Sequence, residues 1–332
     1  MTILGDRILA QRKISCVQLV EIPASDFDLA MTLGSGQVFH WEKVGAGFVG
    51  VIGDRAIYVQ QNGDVLKVRD GESPSPARET RALPRIVARY FALDHPLEEI
   101  CASFPDDPVM SAARKFCRGL RIIRQPRWEC LGTFICSSMK QVAHIRQISR
   151  NLRERFGGAH SPRRVRPTAD EIDSYVVRTF PSAERIAATS EKELRKCALG
   201  YRAKNLLATA RLVASGDVDL EKLGTLSDVD LRARLCELPG VGAKVANCVM
   251  LFAYERLRAF PIDVWIERVL RERYFRRTRK LNARRLQAFT QQYFGSHGGY
   301  AQQYLFHHAR MSKIKARRKR KSRSFVTISG VR

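Results

Sequence analysis

The chain has 332 residues, 45% of them hydrophobic, which is long enough for two or three domains with a hydrophobic core. It contains no run approaching the roughly 20 consecutive apolar residues of a membrane-spanning helix, and its N-terminus lacks the pattern of a secretory signal. The eight cysteines are scattered without a CxxC pair, and none follows Cys248. This distribution excludes a C-terminal four-cysteine iron–sulfur cluster and favours reduced thiols in a soluble, intracellular protein.

The net charge of +25 is the strongest global signal of the sequence. A field of this sign attracts polyanions, with nucleic acid as the first expectation, an anionic membrane as the second and acidic proteins as the third. Eight of the eleven residues from Lys313 to Arg323 are basic, and removing these eight charges from +25 still leaves +17. We therefore expect a DNA-associated protein, in a nucleoid or a nucleus, whose basic tail at 313–332 is disordered in isolation.

The N-terminal part of the chain has the alternation that is typical of β-strands. Five segments carry this pattern, and short turns that contain Gly or Asp separate the last four, as in an antiparallel meander. A polar, proline-rich segment, Gly71–Arg78, predicts a loop after them. The five predicted strands are 15–22, 36–44, 47–53, 55–61 and 64–70.

Apolar residues recur at helical spacing from about residue 107 onward. Ser190 and Glu193 form a capping-box pattern, and Gly200 stands where the helix that they begin is expected to end. The sequence thus predicts an α+β protein, with a small N-terminal antiparallel sheet domain at 1–106 and a larger helical domain at 107–312. Further helices are expected at Asp228–Glu237, Ala243–Glu255, Val264–Phe275, Ala283–Phe294 and Tyr300–Met311.

The residues "LPGVG" lie in a predicted helix-hairpin-helix at about 228–255. Gly240 and Gly242 let the backbone approach a phosphate closely, while the amides of the next helix point at the anion. Many helix connections contain glycines, so it is the coincidence with a basic chain that favours binding to the DNA backbone. Lys244 falls in the first turn of the second helix, where a cation is mildly unfavourable because this end of the helix dipole is positive.

Asp263, nineteen residues after Lys244, offers a reason for that lysine. Asp263 precedes a helical stretch and is expected to cap it, which does not exclude a second role. If the two helices pack together, the two side chains face one pocket. Burial and a positive helix end make a lysine a better nucleophile, and a carboxylate opposite can stabilise a cationic, sugar-like transition state.

The motifs "LPGVGAKVANC" and "PIDV" resemble the helix-hairpin-helix glycosylase superfamily. More narrowly, the chain resembles the 8-oxoguanine DNA glycosylase/AP lyase family of the OGG type from about Ile14 to Met311, with "SGQVFHW", "FICSS", "LGYRAKNLLATAR" and "YAQQYLF" in the family's order. The resemblance implies a base-excision-repair enzyme that flips a damaged base out of duplex DNA and requires no cofactor. Lys244 would attack the deoxyribose anomeric carbon and form a Schiff base that permits β-elimination, and Asp263 would stabilise the oxocarbenium character.

The resemblance also implies a base pocket with five members. The backbone carbonyl of Gly36 would accept a hydrogen bond from the N7 hydrogen that 8-oxoguanine has and guanine lacks. Phe306 and Cys248 would sandwich the base, Gln302 would read its Watson–Crick edge, and Phe252 would line the same pocket. Cys248 and Phe306, taken singly, are more typical of a core, and what favours a pocket is that each lies four residues after Lys244 or Gln302.

Further matches concern the duplex around the flipped base. Tyr201 and Arg202 match a pair that wedges into the duplex and contacts the orphaned base. Met139 stands where the family has an asparagine that fills the gap, and His144 stands where it has an arginine that reads the opposite cytosine. Methionine cannot hydrogen-bond cytosine and histidine is shorter and only partly charged, so we predict a relaxed preference for the opposite base.

Two other features follow from the resemblance. The backbone carbonyls at three hairpin positions match those that hold a monovalent cation in this superfamily. A histidine and an aspartate that form a phosphate contact in the family are replaced, which predicts that this contact is lost or rebuilt. The three carbonyls belong to Cys236, Leu238 and Val241. Trp265 stands in place of the histidine and Ala309 in place of the aspartate. The side chains that could rebuild the contact are His307, His308 and Arg310.

Two alternatives stay open beside a bifunctional glycosylase/lyase. One is a monofunctional alkylated-base glycosylase of the same superfamily, which would use water with the aspartate alone and would have no need of Lys244. The other is a non-catalytic helix-hairpin-helix protein that binds DNA through the hairpin and the basic tail. The leading hypothesis implies a monomer that acts on double-stranded DNA containing an oxidised purine and does not bind a membrane.

Overall fold

The structure is a computed structural model and describes residues 19–71, 76–158, 163–165, 175–275 and 281–328. Its N-terminal part contains a five-stranded, fully antiparallel sheet in the order β1-β5-β4-β3-β2. The predicted meander is therefore confirmed, and β1 joins it by pairing with the last strand. Residues 36–41 of the predicted strand 36–44 form a loop instead, so that part of the prediction is wrong. Residues 15–18 of the first predicted strand lie outside the described residues. The strands are β1 (Val20–Pro23), β2 (Glu42–Val44), β3 (Gly47–Ile52), β4 (Arg55–Asn62) and β5 (Val65–Asp70).

Up to residue 106 the described chain also contains three helices that the sequence pattern did not predict, α1 (Leu29–Gly34), α2 (Pro76–Tyr90) and α3 (Leu97–Ala102). The second begins inside Gly71–Arg78, for which the sequence predicts a loop, so that prediction is wrong for residues 76–78. Proline is tolerated in the first turn of a helix because its missing N–H would have no partner there. Residues 72–75 lie outside the described residues.

The rest of the described chain is mainly helical, which confirms the α+β class; the boundary at 106 stays a prediction. The predicted helices are present, but the one from Val264 ends at Val269 and continues as a π-helical turn over Leu270–Tyr274. Ser190 caps its helix by accepting a hydrogen bond from the Glu193 amide, as predicted. The helices are α4 (Pro108–Phe116), α5 (Arg127–Cys136), α6 (Val142–Phe156), α7 (Ala183–Ala187), α8 (Glu191–Leu194), α9 (Arg202–Ala214), α10 (Leu220–Leu223), α11 (Asp228–Cys236), α12 (Ala243–Ala253), α13 (Val264–Val269), α14 (Ala283–Tyr293) and α15 (Gly298–Ile328).

The last helix, α15, runs on through the basic segment where the sequence predicts a disordered tail. Lysine and arginine are good helix formers, and extending an existing helix avoids the cost of nucleating a new one. Residues 329–332 of the predicted tail lie outside the described residues. None of the helices in the described ranges combines the length and apolarity that crossing a membrane requires.

A loop between α1 and β2 is fixed to the helical region on both sides of Gly36. The Gln303 side chain of α15 donates to the Ser35 carbonyl at 3.2 Å. On the other side, the fully buried Gln37 accepts from the Ile123 amide at 2.7 Å and donates to the Arg121 carbonyl at 2.8 Å. Buried hydrogen bonds of this kind specify one arrangement because breaking them leaves unpaired polar groups. The backbone of Gly36 is therefore held in place against α15.

A buried polar cluster joins the same loop to α5 and α6. Glu129 accepts a hydrogen bond from Arg153 and lies 3.3 Å from the His40 ring, whose other nitrogen is 2.9 Å from the Val51 carbonyl. Burial and the Arg153 charge lower the pKa of His40 to about 4, although Glu129 opposes the shift. The ring is thus neutral at physiological pH, and a proton on it would be costly.

Candidate active site

The predicted hairpin is present, with α11 and α12 joined by a tight glycine turn. Gly240 has φ +83°, and a Cβ there would lie 2.8 Å from the Cβ of Asn205, so that only glycine fits without movement. Thr209 fixes the turn by donating to the Pro239 carbonyl at 2.9 Å. Gly242, the residue before α12, is exposed, has open space around it and provides no side-chain cap. The first amides of α12 therefore face solvent and can donate to an anion.

Lys244 lies in the first turn of α12, as predicted, and its side chain is half-buried. Its Nζ donates to the Ser137 hydroxyl oxygen at 3.1 Å and lies 5.2 Å from the centroid of the Phe134 ring. The Ser137 hydroxyl donates its own proton to the Phe134 carbonyl at 2.7 Å, which leaves its oxygen free to accept from the lysine. Among the described residues, no carboxylate lies within 4.0 Å of the Lys244 nitrogen.

Asp263 caps α13, as the sequence predicts, because Oδ1 accepts from the amides of Trp265 at 3.0 Å and Ile266 at 2.9 Å. Burial raises the pKa of this carboxyl, while the Ile266 hydrogen bond and the charge of Lys244 act in the opposite direction. The structure thus brings Lys244 and Asp263 close enough to interact electrostatically without forming a direct ion pair. A carboxylate in this position can stabilise positive charge that develops between the two side chains.

Two contacts group the predicted pocket residues, since Gly36 lies against Phe306 of α15 and Cys248 is on the same helix as Lys244. Gly36 has φ +92°, and a Cβ on it would lie 3.2 Å from the Phe306 ring. Gln302 is 4% exposed, and its Oε1 has no hydrogen-bond partner among the described residues. Cys248 is buried one turn after Lys244, and burial raises the pKa of its thiol to about 11, although Lys244 opposes the shift. Buried polar atoms of native proteins nearly always have a hydrogen-bond partner, so the Gln302 oxygen is more typical of a binding site than of a core.

The fifth predicted pocket residue, Phe252, is buried and stacks on Phe134 with ring centroids 5.5 Å apart. Phe134 in turn lies beside the Lys244 nitrogen. Phe252 therefore supports the aromatic surface next to the lysine.

The predicted wedge residues form an exposed ridge. Met139 is 88% exposed with φ +56°, and Tyr201 is 58% exposed. His144 is exposed on the first turn of α6. Exposed large apolar side chains such as Met139 and Tyr201 indicate a surface that contacts another molecule.

Arg202, predicted to contact an orphaned base, points inward instead. It is only 5% exposed, and its guanidinium donates to the Ser138 carbonyl at 2.7 Å and to the Leu199 carbonyl at 3.2 Å. The same guanidinium lies 4.3 Å from the centroid of the Tyr201 ring. In this structure Arg202 therefore ties the Met139 loop to Tyr201 and holds the two exposed side chains together.

Comparison with known proteins agrees with this geometry. A family model described as 8-oxoguanine DNA glycosylase, N-terminal domain, matches residues 19–131, and one described as HhH-GPD superfamily base excision DNA repair protein matches residues 133–292. The N-glycosylase/DNA lyase OGG1 of Arabidopsis thaliana is 31% identical over 86% of this chain and 78% of its own length.

This chain belongs to the OGG-type helix-hairpin-helix DNA glycosylases. Two solved structures have the same fold over nearly their whole length. MBOgg1 in complex with a low-affinity DNA ligand gives a TM-score of 0.79 at 33% identity, over 89% of this chain and 96% of that one. The 8-oxoguanine glycosylase/lyase of Clostridium acetobutylicum, with double-stranded DNA containing cytosine opposite 8-oxoG, gives 0.77 at 26% identity, over 90% and 99%. The protein is thus a DNA-binding N-glycosylase/DNA lyase of base excision repair.

Cations lie beside Trp265, which stands at the predicted phosphate contact of this OGG-type glycosylase. The Trp265 ring has the Lys313 nitrogen 5.1 Å and the Arg268 guanidinium 5.9 Å from its centroid, so that cations surround the position. His307 is buried, and burial together with the Arg310 charge lowers its pKa to about 4. His308 lies beside Phe116, with ring centroids 5.3 Å apart. A neutral, buried His307 is poorly suited to hold a phosphate, whereas exposed cations are well suited.

Sequence reasoning missed two side chains of this site. Ser137, which accepts from Lys244, stands inside the quoted motif "FICSS", so the motif contained the signal. Arg310 was considered only as a substitute phosphate ligand, yet it lies against Gly36 and Phe306. Its position four residues after Phe306 puts both on one face of α15, which was the available clue.

Proposed function

We propose that this enzyme removes 8-oxoguanine from duplex DNA, with Lys244 as the nucleophile of both the glycosylase and the lyase step. The observation that carries the proposal is that Asp263 interacts electrostatically with both Lys244 and Arg310, while Arg310 lies against Gly36 and Phe306. A base flipped from the duplex would enter the predicted base pocket, since chemistry at C1′ requires access that the stacked helix does not give.

The chemistry can be followed bond by bond. The lone pair of the Lys244 amine forms the Nζ–C1′ bond, while the C1′–N9 electron pair leaves with the base, which takes up a proton. Opening of the sugar then gives a Schiff base, and loss of a C2′ proton expels the 3′ phosphate by β-elimination. Asp263 stabilises the positive charge at C1′ and exchanges protons with the leaving groups. Ser137 holds the amine in place by accepting one of its N–H groups.

Selection of the lesion is attributed to the Gly36 carbonyl, which would accept from the N7 hydrogen that 8-oxoguanine has and guanine lacks. The structure of the Clostridium acetobutylicum relative is a complex with double-stranded DNA that contains 8-oxoG, which supports this choice of lesion. A hydrogen-bond mismatch inside a buried site strongly disfavours the wrong base, because it leaves an unpaired polar group. Gln302 would pair its free Oε1 with a donor on the Watson–Crick edge.

The DNA backbone is assigned to the hairpin, with the turn at Gly240 and Gly242 against a phosphate. The Leu238 carbonyl accepts from the Val241 amide at 3.0 Å, and a carbonyl has a second lone pair that can ligate a cation. A monovalent cation held by Cys236, Leu238 and Val241 would add positive charge at this turn. Met139 and Tyr201 would fill the gap in the duplex.

Borohydride trapping tests the mechanism directly, since it reduces a Schiff base to a stable covalent adduct. The wild type should form an adduct with a duplex that contains 8-oxoguanine, and Lys244→Gln should form none. Lys222→Gln is the matched control, because the Lys222 side chain is 86% exposed and its nitrogen lies 3.5 Å from Asp219 in the same short helix region. Base release without adduct or strand cleavage would favour the monofunctional alternative. Absence of any product across a panel of lesions would favour a non-catalytic DNA-binding protein.

The same duplexes test the preference for the opposite base. Excision rates opposite C, A, G and T should lie within about tenfold of one another, because neither Met139 nor His144 offers the bidentate contact of an arginine. A steep preference for cytosine would refute this part of the proposal.

A further inference from the structure

Arg310 is a partly buried cation, and only one of its three nitrogens has a hydrogen-bond partner among the described residues. Nη2 donates to the Gly34 carbonyl and lies 3.3 Å from Nδ1 of His307. Nε and Nη1 are also buried, but neither has a hydrogen-bond partner among the described residues. Leaving buried N–H groups of a charged side chain unpaired costs free energy, and most native proteins avoid it. Two such groups on one guanidinium therefore indicate a partner that binds later.

One of the unpaired groups, Nη1, lies beside the proposed base pocket. Nη1 lies 2.8 Å from the point where a Cβ of Gly36 would be, and the guanidinium carbon lies 5.5 Å from the centroid of the Phe306 ring. These two residues are the ones to which we assign the oxidised edge and one face of the base. The unpaired Nη1 is thus beside the position proposed for the base.

The electrostatic surroundings favour an acceptor as the missing partner. Burial and the charge of Arg146 lower the pKa of Arg310 to about 10, and Asp263 offsets part of this shift. Arg310 is therefore still charged at physiological pH. A charged donor without a direct counter-ion binds most strongly to an oxygen that accepts hydrogen bonds.

We propose that Arg310 determines lesion specificity by donating a hydrogen bond to the C8 carbonyl oxygen of the flipped 8-oxoguanine. The inference rests on the proposed function. Oxidation gives the purine two new groups on one edge, an N7 hydrogen and an O8 oxygen. Gly36 would pair with the first and Arg310 with the second, whereas unmodified guanine offers C8–H to the arginine and satisfies neither. Two matched hydrogen bonds on the same edge discriminate more strongly than one.

The test compares base excision with strand cleavage at a preformed abasic site, since the second reaction uses the same pocket without a base. Arg310→Leu should lower the single-turnover excision of 8-oxoguanine by about 10- to 100-fold, as expected for the loss of a hydrogen bond from a charged donor. Cleavage at the abasic site should change by less than about twofold, because no O8 takes part in it. Arg310→Lys should recover only part of the loss, since a lysine lacks the forked guanidinium.

Arg118→Leu is the matched control, because it removes one charge from a side chain that is 88% exposed. It should leave both reactions unchanged. Equal losses of excision and abasic-site cleavage in Arg310→Leu would overturn the inference in favour of a phosphate contact, and unchanged excision would overturn it outright. A loss of both reactions with a lowered unfolding temperature would also overturn it, since that result indicates a structural role. If the wild type releases no 8-oxoguanine at all, the proposed function itself fails.

Discussion

Asp263 is expected to have two separable roles, and two substitutions can separate them. As the cap of α13 it accepts the amides of Trp265 and Ile266 at 3.0 and 2.9 Å. Asp263→Ala removes both hydrogen bonds, which costs about 1 kcal/mol for a lost N-cap and lowers the unfolding temperature by about 2–4 °C in a region of this size. Asn is as good a cap as Asp, so Asp263→Asn should keep this contribution.

The negative charge of Asp263 should lower the stability of the fold, whereas its capping hydrogen bonds raise it. Burial raises the pKa of this carboxyl, so its ionised form is less favourable in the folded protein than in the unfolded chain. The resulting penalty is present above the folded-state pKa and disappears as the pH falls through it. At pH 7, Asp263→Asn should therefore unfold at a temperature equal to or above that of the wild type, while Asp263→Ala unfolds below it.

The catalytic rate should fall in both variants, unlike the stability, because both substitutions remove the carboxylate. Single-turnover excision should fall by about 100-fold or more in both variants, as for the loss of one preorganised electrostatic group at a transition state. Calorimetry at pH 7 and excision kinetics on one duplex are sufficient measurements. Retention of the excision rate by Asp263→Asn would refute the electrostatic role, and equal destabilisation by Asn and Ala would refute the capping role.

Three further predictions concern the surroundings of the site. Gly36→Ala should slow excision and destabilise the fold by about 1–2 kcal/mol, because φ is +92° and the new Cβ meets Arg310 and Phe306; wild-type kinetics and stability would contradict this. Arg202→Gln should weaken binding to duplexes with an abasic-site analogue more than to undamaged DNA, since it releases the Met139 loop; equal weakening on both, measured by titration, would argue against it. Stability of the wild type should fall from pH 6.5 towards 4, because the pKa of His40 is lowered to about 4 in the fold, and His40→Asn should flatten this dependence in denaturant titrations.

Local features of the sequence were sufficient for most elements of the fold. Alternation and short Gly- or Asp-containing turns predicted the meander, and a proline–glycine turn between helical stretches predicted the hairpin. Helix α2 was missed because its start is proline-rich, although proline fits the first turn of a helix. The basic tail was predicted to be disordered, yet α15 continues through it because charge alone does not oppose an existing helix.

Some residues of the site could likewise be predicted from local sequence, and others could not. Lys244 and Asp263 could be identified from the sequence because each carries a local signal, a glycine turn before the one and a helix start after the other. The inward direction of Arg202 could not be predicted, since the carbonyl of Ser138 that it binds is 64 residues away in the chain. The same applies to Ser137 beneath Lys244, which is 107 residues away.

By itself, the sequence determined the class of fold, the basic charge and the chemistry available at the lysine and the aspartate. Only the tertiary structure decided which side chains meet. Gly36 comes from the N-terminal part and Arg310 from the last helix, and the buried hydrogen bonds of Gln37 and Gln303 bring them together. The physical reason is that periodicity and capping depend on neighbours within a few residues, whereas an unpaired buried donor is defined by everything that packs around it.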